Sequence, residues 1–109
     1  MHKGVMIVLS NPVSADRETE YNQWYDRVHH KEVTALAGIA SLTRYKAHTQ
    51  IVPPGVEPAF NYVAVYELED VDTALRSLGE AAGKLHMSDS VDPEASLGVV
   101  FKRIAPTKD

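Results

Sequence analysis

The run Val5-Met6-Ile7-Val8-Leu9 is apolar on both of the faces that an extended chain presents, and it ends at Ser10-Asn11-Pro12. A strand with one face on water alternates polar and apolar residues, whereas a strand without that alternation is covered on both faces. The run is too short for the core of a signal peptide or for a membrane span. It therefore predicts a buried strand over about Lys3 to Ser10 in the middle of a sheet, and everything else in the chain has to supply its neighbours and its cover.

Three further stretches read as strands: about Ile39 to His48, about Phe60 to Leu68, and Leu97 to Ile104. The third strand alternates Phe60, Tyr62, Ala64 and Tyr66 against Asn61, Val63, Val65 and Glu67. After the first strand, Tyr21, Trp24, Tyr25, Val28 and Ala35 fall on one stripe at helical spacing. A helix is predicted there from near Asp16, with Ser14 or Asp16 as cap, Glu18 and Glu20 in the first turn, and Gly38 as the stop. A second helix is predicted from a cap at Asp70 to about His86, on the stripe Val71, Ala74, Leu75, Leu78, Ala82 and Leu85. Gly79 and Gly83 weaken it by roughly 1 kcal/mol each relative to alanine; four apart, they either admit a close backbone neighbour or are plain surface positions. Thr49 to Pro58, rich in proline, and Met87 to Ser96 read as loops.

The resulting β-α-β-β-α-β order, with both helices on one face of an antiparallel sheet, is the ferredoxin-like arrangement of the α+β class, here as one domain over residues 1–109. The opposite sheet face has no cover of its own, so a second copy of the chain is expected on it, making a homodimer. With 44% apolar and 24% charged residues, the 109-residue chain suits one small folded domain. A net charge of -4, with Lys and Arg scattered, offers no footprint for nucleic acid. No stretch reaches membrane-spanning length, and the absence of cysteine removes disulfides, thiolate metal sites and cysteine nucleophiles. A cytoplasmic protein without nucleic-acid or membrane partners is expected.

Of the five histidines, only His29 and His30 lie in a concentrated motif. At about 100° per residue, Val28 takes the centre of the buried stripe, His29 its flank beside Tyr25 and Leu36, and His30 the opposite side. His29 is thereby expected at the edge of the space between helix and sheet, with a polar route to solvent that suits a group exchanging protons near neutral pH. The plainer alternative is a boundary histidine bonded to a neighbour such as Tyr25. Asp26 and Glu32, three residues to either side, could orient the imidazole. On an unbroken helix Glu32 would point into the apolar stripe, which predicts a bend there, the alternative being a carboxylate buried with a partner. Trp24, Tyr21, Tyr25, Tyr62 and Tyr66 are either core aromatics or polar-tipped pocket walls. No spacing resembles a metal site, a phosphate loop or a nucleophile elbow, so neither metal nor cofactor is expected.

The segment Glu20-Tyr21-Asn22-Gln23-Trp24-Tyr25-Asp26-Arg27-Val28-His29-His30-Lys31-Glu32-Val33, followed by Gly38 and Arg44-Tyr45, resembles the EthD-like branch of the dimeric α+β barrel superfamily. Trp24, Tyr25, Asp26, His29, Glu32, Val33 and Gly38 match that pattern in place, whereas His30-Lys31 stands where many relatives have leucine-proline. The resemblance implies two subunits whose sheets pack into a barrel, with a cavity in each between sheet and helices. Similar proteins include cofactor-free monooxygenases, polyketide-type cyclases, lactone isomerases and haem-degrading enzymes, and fold analogy does not choose among them.

The leading expectation is a cofactor-independent lyase, cyclase or isomerase acting on a small hydrophobic, enolisable or aromatic substrate. His29, Tyr25 and Glu32 are the candidate catalytic residues, and Trp24, Tyr21, Tyr62, Arg44 and His86 the candidate substrate-binding residues. A cofactor-free monooxygenase, told apart by oxygen consumption, is the second enzyme reading. A small-molecule-binding or accessory dimer, with the loop Ile51 to Pro58 as a lid or docking surface, or a dimeric structural subunit without chemistry, is the non-catalytic one.

Overall fold

The computed structural model describes residues 2–57 and 59–104, so Pro58 of the proline-rich loop lies outside the described residues. Strand β1 (Gly4–Pro12) leads through a 3-10 turn (Ala15–Arg17) into α1 (Glu18–Trp24), a π-turn (Tyr25–His29) and α2 (His30–Thr34). Then come β2 (Ile39–Lys46), β3 (Tyr62–Leu68), α3 (Val71–Ala81) and β4 (Val91–Lys102). The four strands form one antiparallel sheet in the order β2-β3-β1-β4. The central place of β1 is the one its two-sided apolar run demands, and the β-α-β-β-α-β order is ferredoxin-like.

Alternation divides the sheet into two unlike faces. Tyr62, Ala64, Tyr66 and Leu68 of β3 and Leu42 of β2 are buried together with Tyr21, Tyr25 and Val33 of the first helical run and Val71 and Ala74 of α3. On the other face, Ile7 stands between Val65 and Val99, and Leu9 between Val63 and Leu97. Among the described residues nothing covers β4 on that side, where Leu97 is 49%, Val99 38% and Phe101 51% exposed.

Two boundaries depart from expectation. Strand β4 begins at Val91 and not at Leu97, so most of the predicted loop Met87 to Ser96 is strand. Pro93 disguises it: β4 is an edge strand, where a missing N–H costs no ladder bond. Helix α3 ends at Ala81, five residues short of His86, because Ala82 turns to an extended conformation and Gly83 follows at φ +82°. Leu75 of the predicted stripe is 47% exposed.

Among the described residues neither Gly79 nor Gly83 has a neighbour where a Cβ would stand. The close approaches are elsewhere: a Cβ on Gly38, at φ +88°, would fall 2.6 Å from the Ala74 backbone nitrogen, and one on Gly4 2.2 Å from the Phe101 carbonyl oxygen. Asp70 caps α3 as expected, accepting from the Thr73 backbone N–H at 3.1 Å and its hydroxyl at 2.6 Å. Ser14 precedes the 3-10 turn without a side-chain capping bond, and Asp16 lies inside that turn.

Candidate functional site

Tyr21, Tyr25, His29 and Val33 recur every fourth residue, and all four are buried. On a regular α-helix that spacing drifts by about 40° per step, roughly 120° over three steps, and would carry the last residues off the sheet. The π-turn over Tyr25–His29 absorbs an extra residue and cancels the drift. Val28 is thereby displaced from the centre of the stripe to a half-buried flank, and His29 takes the buried position. The irregularity predicted at Glu32 thus occurs one turn earlier and needs no proline. It leaves Glu32 at the boundary, not inside the stripe.

His29 is packed in a box of aromatic rings. Trp24 stacks on it with centroids 4.5 Å apart and planes inclined by 26°, while Tyr25 meets it edge-on at 5.3 Å. Its Nε2 lies 3.0 Å from the hydroxyl of Tyr66, across the sheet face, and its Nδ1 is buried with no hydrogen-bond partner among the described residues. Burial pushes the imidazole pKa down to about 4; the Glu32 carboxylate pulls weakly the other way, and Arg44 adds to the depression. His29 is therefore neutral at pH 7. Burial also raises the Tyr66 hydroxyl well above its ordinary value, so it stays protonated. The expected polar route to solvent is closed, and the partner is Tyr66 and not Tyr25.

The two carboxylates thought able to orient His29 look elsewhere. Asp26 accepts from Arg44 Nη1 at 3.1 Å, and Asn22 Oδ1 accepts from Arg44 Nη2 at 2.8 Å. The guanidinium lies 4.2 Å over the Tyr25 ring and 5.4 Å from those of Tyr21 and Tyr62, a cation held on aromatic faces. The Tyr62 hydroxyl donates to Glu18 Oε2 at 2.5 Å, and Lys46 pairs with the same oxygen at 3.1 Å. These partners, the Tyr62 bond foremost, hold the Glu18 carboxyl below its usual range. Glu18, Asn22, Arg44, Lys46 and Tyr62 wall a cavity of about 400 Å³. Tyr21 lies beneath it, its hydroxyl 2.5 Å from Ser10 Oγ.

Glu32 faces the opposite side. Its Oε2 lies 2.6 Å from His86 Nδ1 and its Oε1 accepts from the His86 backbone N–H at 2.9 Å. These bonds lower the Glu32 carboxyl and raise the His86 imidazole above their ordinary values. The Trp24 indole N–H donates to the His86 carbonyl at 2.7 Å. Trp24, Gln23, Arg27, Met87 and Asp89 help line a cavity of about 650 Å³. His29 lines neither cavity; Trp24 separates it from the larger one, and Tyr25 with Arg44 from the smaller.

Of the residues singled out from sequence, Trp24, Tyr25 and His29 come together in one aromatic cluster that Tyr21 joins through Tyr25. Arg44 and Tyr62 line one flank, while Glu32 and His86 pair on the other without a hydrogen bond to His29. Sequence reasoning missed the cavity-lining positions Glu18, Asn22 and Lys46 and did not single out Tyr66 from the other tyrosines. The four-residue spacing of Tyr21, Tyr25, His29 and Val33 was the available signal for the π-turn. Among the described residues, no group of three or more acidic or histidine side chains could hold a metal ion, and no helix is long and apolar enough to cross a membrane.

Sheet order, helix placement and an aromatic site under the first helical run define a ferredoxin-like α+β protein. No protein-family model and no curated protein matches the chain. Among solved structures it is similar to a DABB-family protein with a ferredoxin-like fold from Mesorhizobium loti, at 12% identity and a TM-score of 0.66 over 96% of this chain and all of that one. An EthD-family protein from Bacillus halodurans matches at 14% identity and a TM-score of 0.61, over 95% of this chain and all of that one. A dimeric ferredoxin-like protein of unknown function from Thermobifida fusca matches at 10% identity and 0.50, over 94% and 92% of the two chains. These likenesses establish the ferredoxin-like α+β fold expected from the element order.

Proposed function

We propose that the chain is a small enzyme, working as a homodimer, in which His29 carries a proton to or from an enolisable or aromatic small molecule in lyase, cyclase or isomerase chemistry. The observation that carries this reading is the neutral, buried imidazole with Nε2 on Tyr66 and Nδ1 unpartnered. An unpaired buried polar atom costs on the order of 1–3 kcal/mol, a cost that a substrate group hydrogen-bonded to Nδ1 would remove. An imidazole neutral at pH 7 can accept a proton, and one that is acidic when charged returns it readily to another atom. Tyr66 fixes the ring, and Arg44, held on the tyrosine faces, favours negative charge developing nearby. The apolar open sheet face is the surface for the second subunit.

Screening a panel of enolisable ketones, lactones and phenolic polyketide analogues tests this reading. Turnover that falls by about 100-fold or more in His29→Ala, the usual contribution of a positioned acid or base, supports it; turnover unchanged in that variant contradicts it. The enclosure of His29 between two ligand-sized cavities favours a second reading, a non-catalytic binder of a small aromatic molecule. Tight binding of a ligand recovered unchanged would select that one. Oxygen consumption coupled to product formation would instead select a cofactor-free monooxygenase.

A further inference from the structure

If His29 meets a substrate, something has to move, because aromatic rings close it off from both neighbouring cavities. The wall on the larger cavity's side is the ring of Trp24, stacked at 4.5 Å on the imidazole. That ring is fixed by a bond from its indole N–H to the His86 carbonyl. His86 is fixed in turn by both oxygens of Glu32, one on its backbone N–H and one on its ring. We propose that Trp24, His86 and Glu32 form a latch: the segment 82–90, between α3 and β4, is a strap whose release frees Trp24 and opens His29 to the larger cavity. The latch rests on the reading of His29 as the working residue, but it is defined by access and not by turnover.

The geometry makes the latch local and sensitive to protonation. The strap is tied at its other end by Arg17, which bonds the Asp89 carboxylate and carbonyl and also Glu20, and by Val13 N–H to the Ser90 carbonyl. Opening therefore concerns the part around His86. The charged groups facing that part are Glu32 from α2, Arg27 on the cavity wall, and Glu20 and Asp89, both already paired with Arg17. His86 is 80% exposed at its side chain and Glu32 24%, so the imidazole can lose its proton to solvent without unpacking the core. The charged imidazole holds the carboxylate most firmly. The latch is therefore closed at low pH, and its ionic part is lost as pH rises through the raised His86 value.

Trp24 is the only tryptophan in the chain, so its fluorescence reports the latch without a label. The experiment measures acrylamide quenching of Trp24, and the rate at which diethylpyrocarbonate modifies His29 resolved by peptide mass, across pH 6 to 9. His29 stays unprotonated over that range, so its rate follows access. In the wild-type chain both should rise by roughly two- to fivefold with pH, the range that one exposed ion pair sustains. In Glu32→Gln and His86→Asn both should be high at pH 6 and independent of pH. His86→Asn changes an exposed side chain and leaves the backbone groups that bond Trp24 and Glu32, so it keeps the test valid if Glu32→Gln folds poorly. Quenching and modification that match the wild type in His86→Asn at every pH overturn the latch. Because neither readout needs turnover, the latch can fail while His29-dependent catalysis stands, and the reverse.

Discussion

The two faces of the sheet are built from the same strands and differ in almost every other respect. The helix side carries Tyr62, Tyr66 and Arg44, whose polar atoms are bonded to Glu18, His29, Asn22 and Asp26. The open side carries Val5, Ile7, Leu9, Val63, Val65, Leu97 and Val99, none of which can form a side-chain hydrogen bond, with Thr43, Tyr45 and Glu67 as its polar-tipped members on β2 and at the end of β3. One face needs each partner at a set distance, while the other needs only to be kept from water. On the proposed function chemistry belongs to the helix side and assembly to the open side, so a perturbation of either should leave the other's property intact.

The sharpest break in that contrast is a charge at the centre of the open face. Ile7→Asp should abolish association, shifting the species seen by sedimentation from twice 12.0 kDa to 12.0 kDa, because an unpaired buried carboxylate costs several kcal/mol. A dimer that survives the substitution would place the interface elsewhere.

On the helix side the largest effect is a pH dependence. His29 has an ordinary pKa of 6.5 when unfolded and about 4 when folded. Its contribution to stability is full above pH 6.5 and is lost as pH falls to 4, by about 3 kcal/mol at 1.36 kcal/mol per unit. Urea titrations at several pH values should show this difference between the wild type and His29→Gln. Equal pH slopes in the two would mean that His29 titrates normally. A smaller loss, about 1–3 kcal/mol, is expected for Tyr66→Phe, which leaves Nε2 without its partner, with no change in mass by sedimentation. The smallest effect calibrates both faces: Gly79→Ala, on the exposed side of α3 with open space around it, should stabilise by about 0.5–1 kcal/mol in the same titrations.

Much of this contrast is written in the sequence, because strand alternation is a period-two signal that needs no knowledge of partners. The two-sided run of β1 gave its central place, and the tyrosine–valine alternation of β3 assigned its two faces. Partner choice was not legible. Asp26 and Glu32 flank His29 symmetrically in the chain, yet one pairs with Arg44 and the other with His86, 54 residues away. The phase of the first helical run was legible only in part. Glu32 in an apolar stripe signalled a fault, and the four-residue spacing of Tyr21, Tyr25, His29 and Val33 marked the π-turn, but a regular helical wheel of about 100° per residue gave Val28 the place that His29 holds. Pro93 and the short α3 misled for a related reason: what a proline or glycine does depends on whether its strand is at an edge and whether a neighbour is near.

The central claim is that His29 is held neutral by burial, with one nitrogen on Tyr66 and the other free for a ligand. Nitrogen-detected NMR titration of the imidazole tests it most directly, since it reads the charge and the tautomer of this one ring from pH 3 to 8. The account predicts a single neutral tautomer down to about pH 5 and a midpoint near 4. A midpoint near 6.5, with both tautomers exchanging, would contradict it.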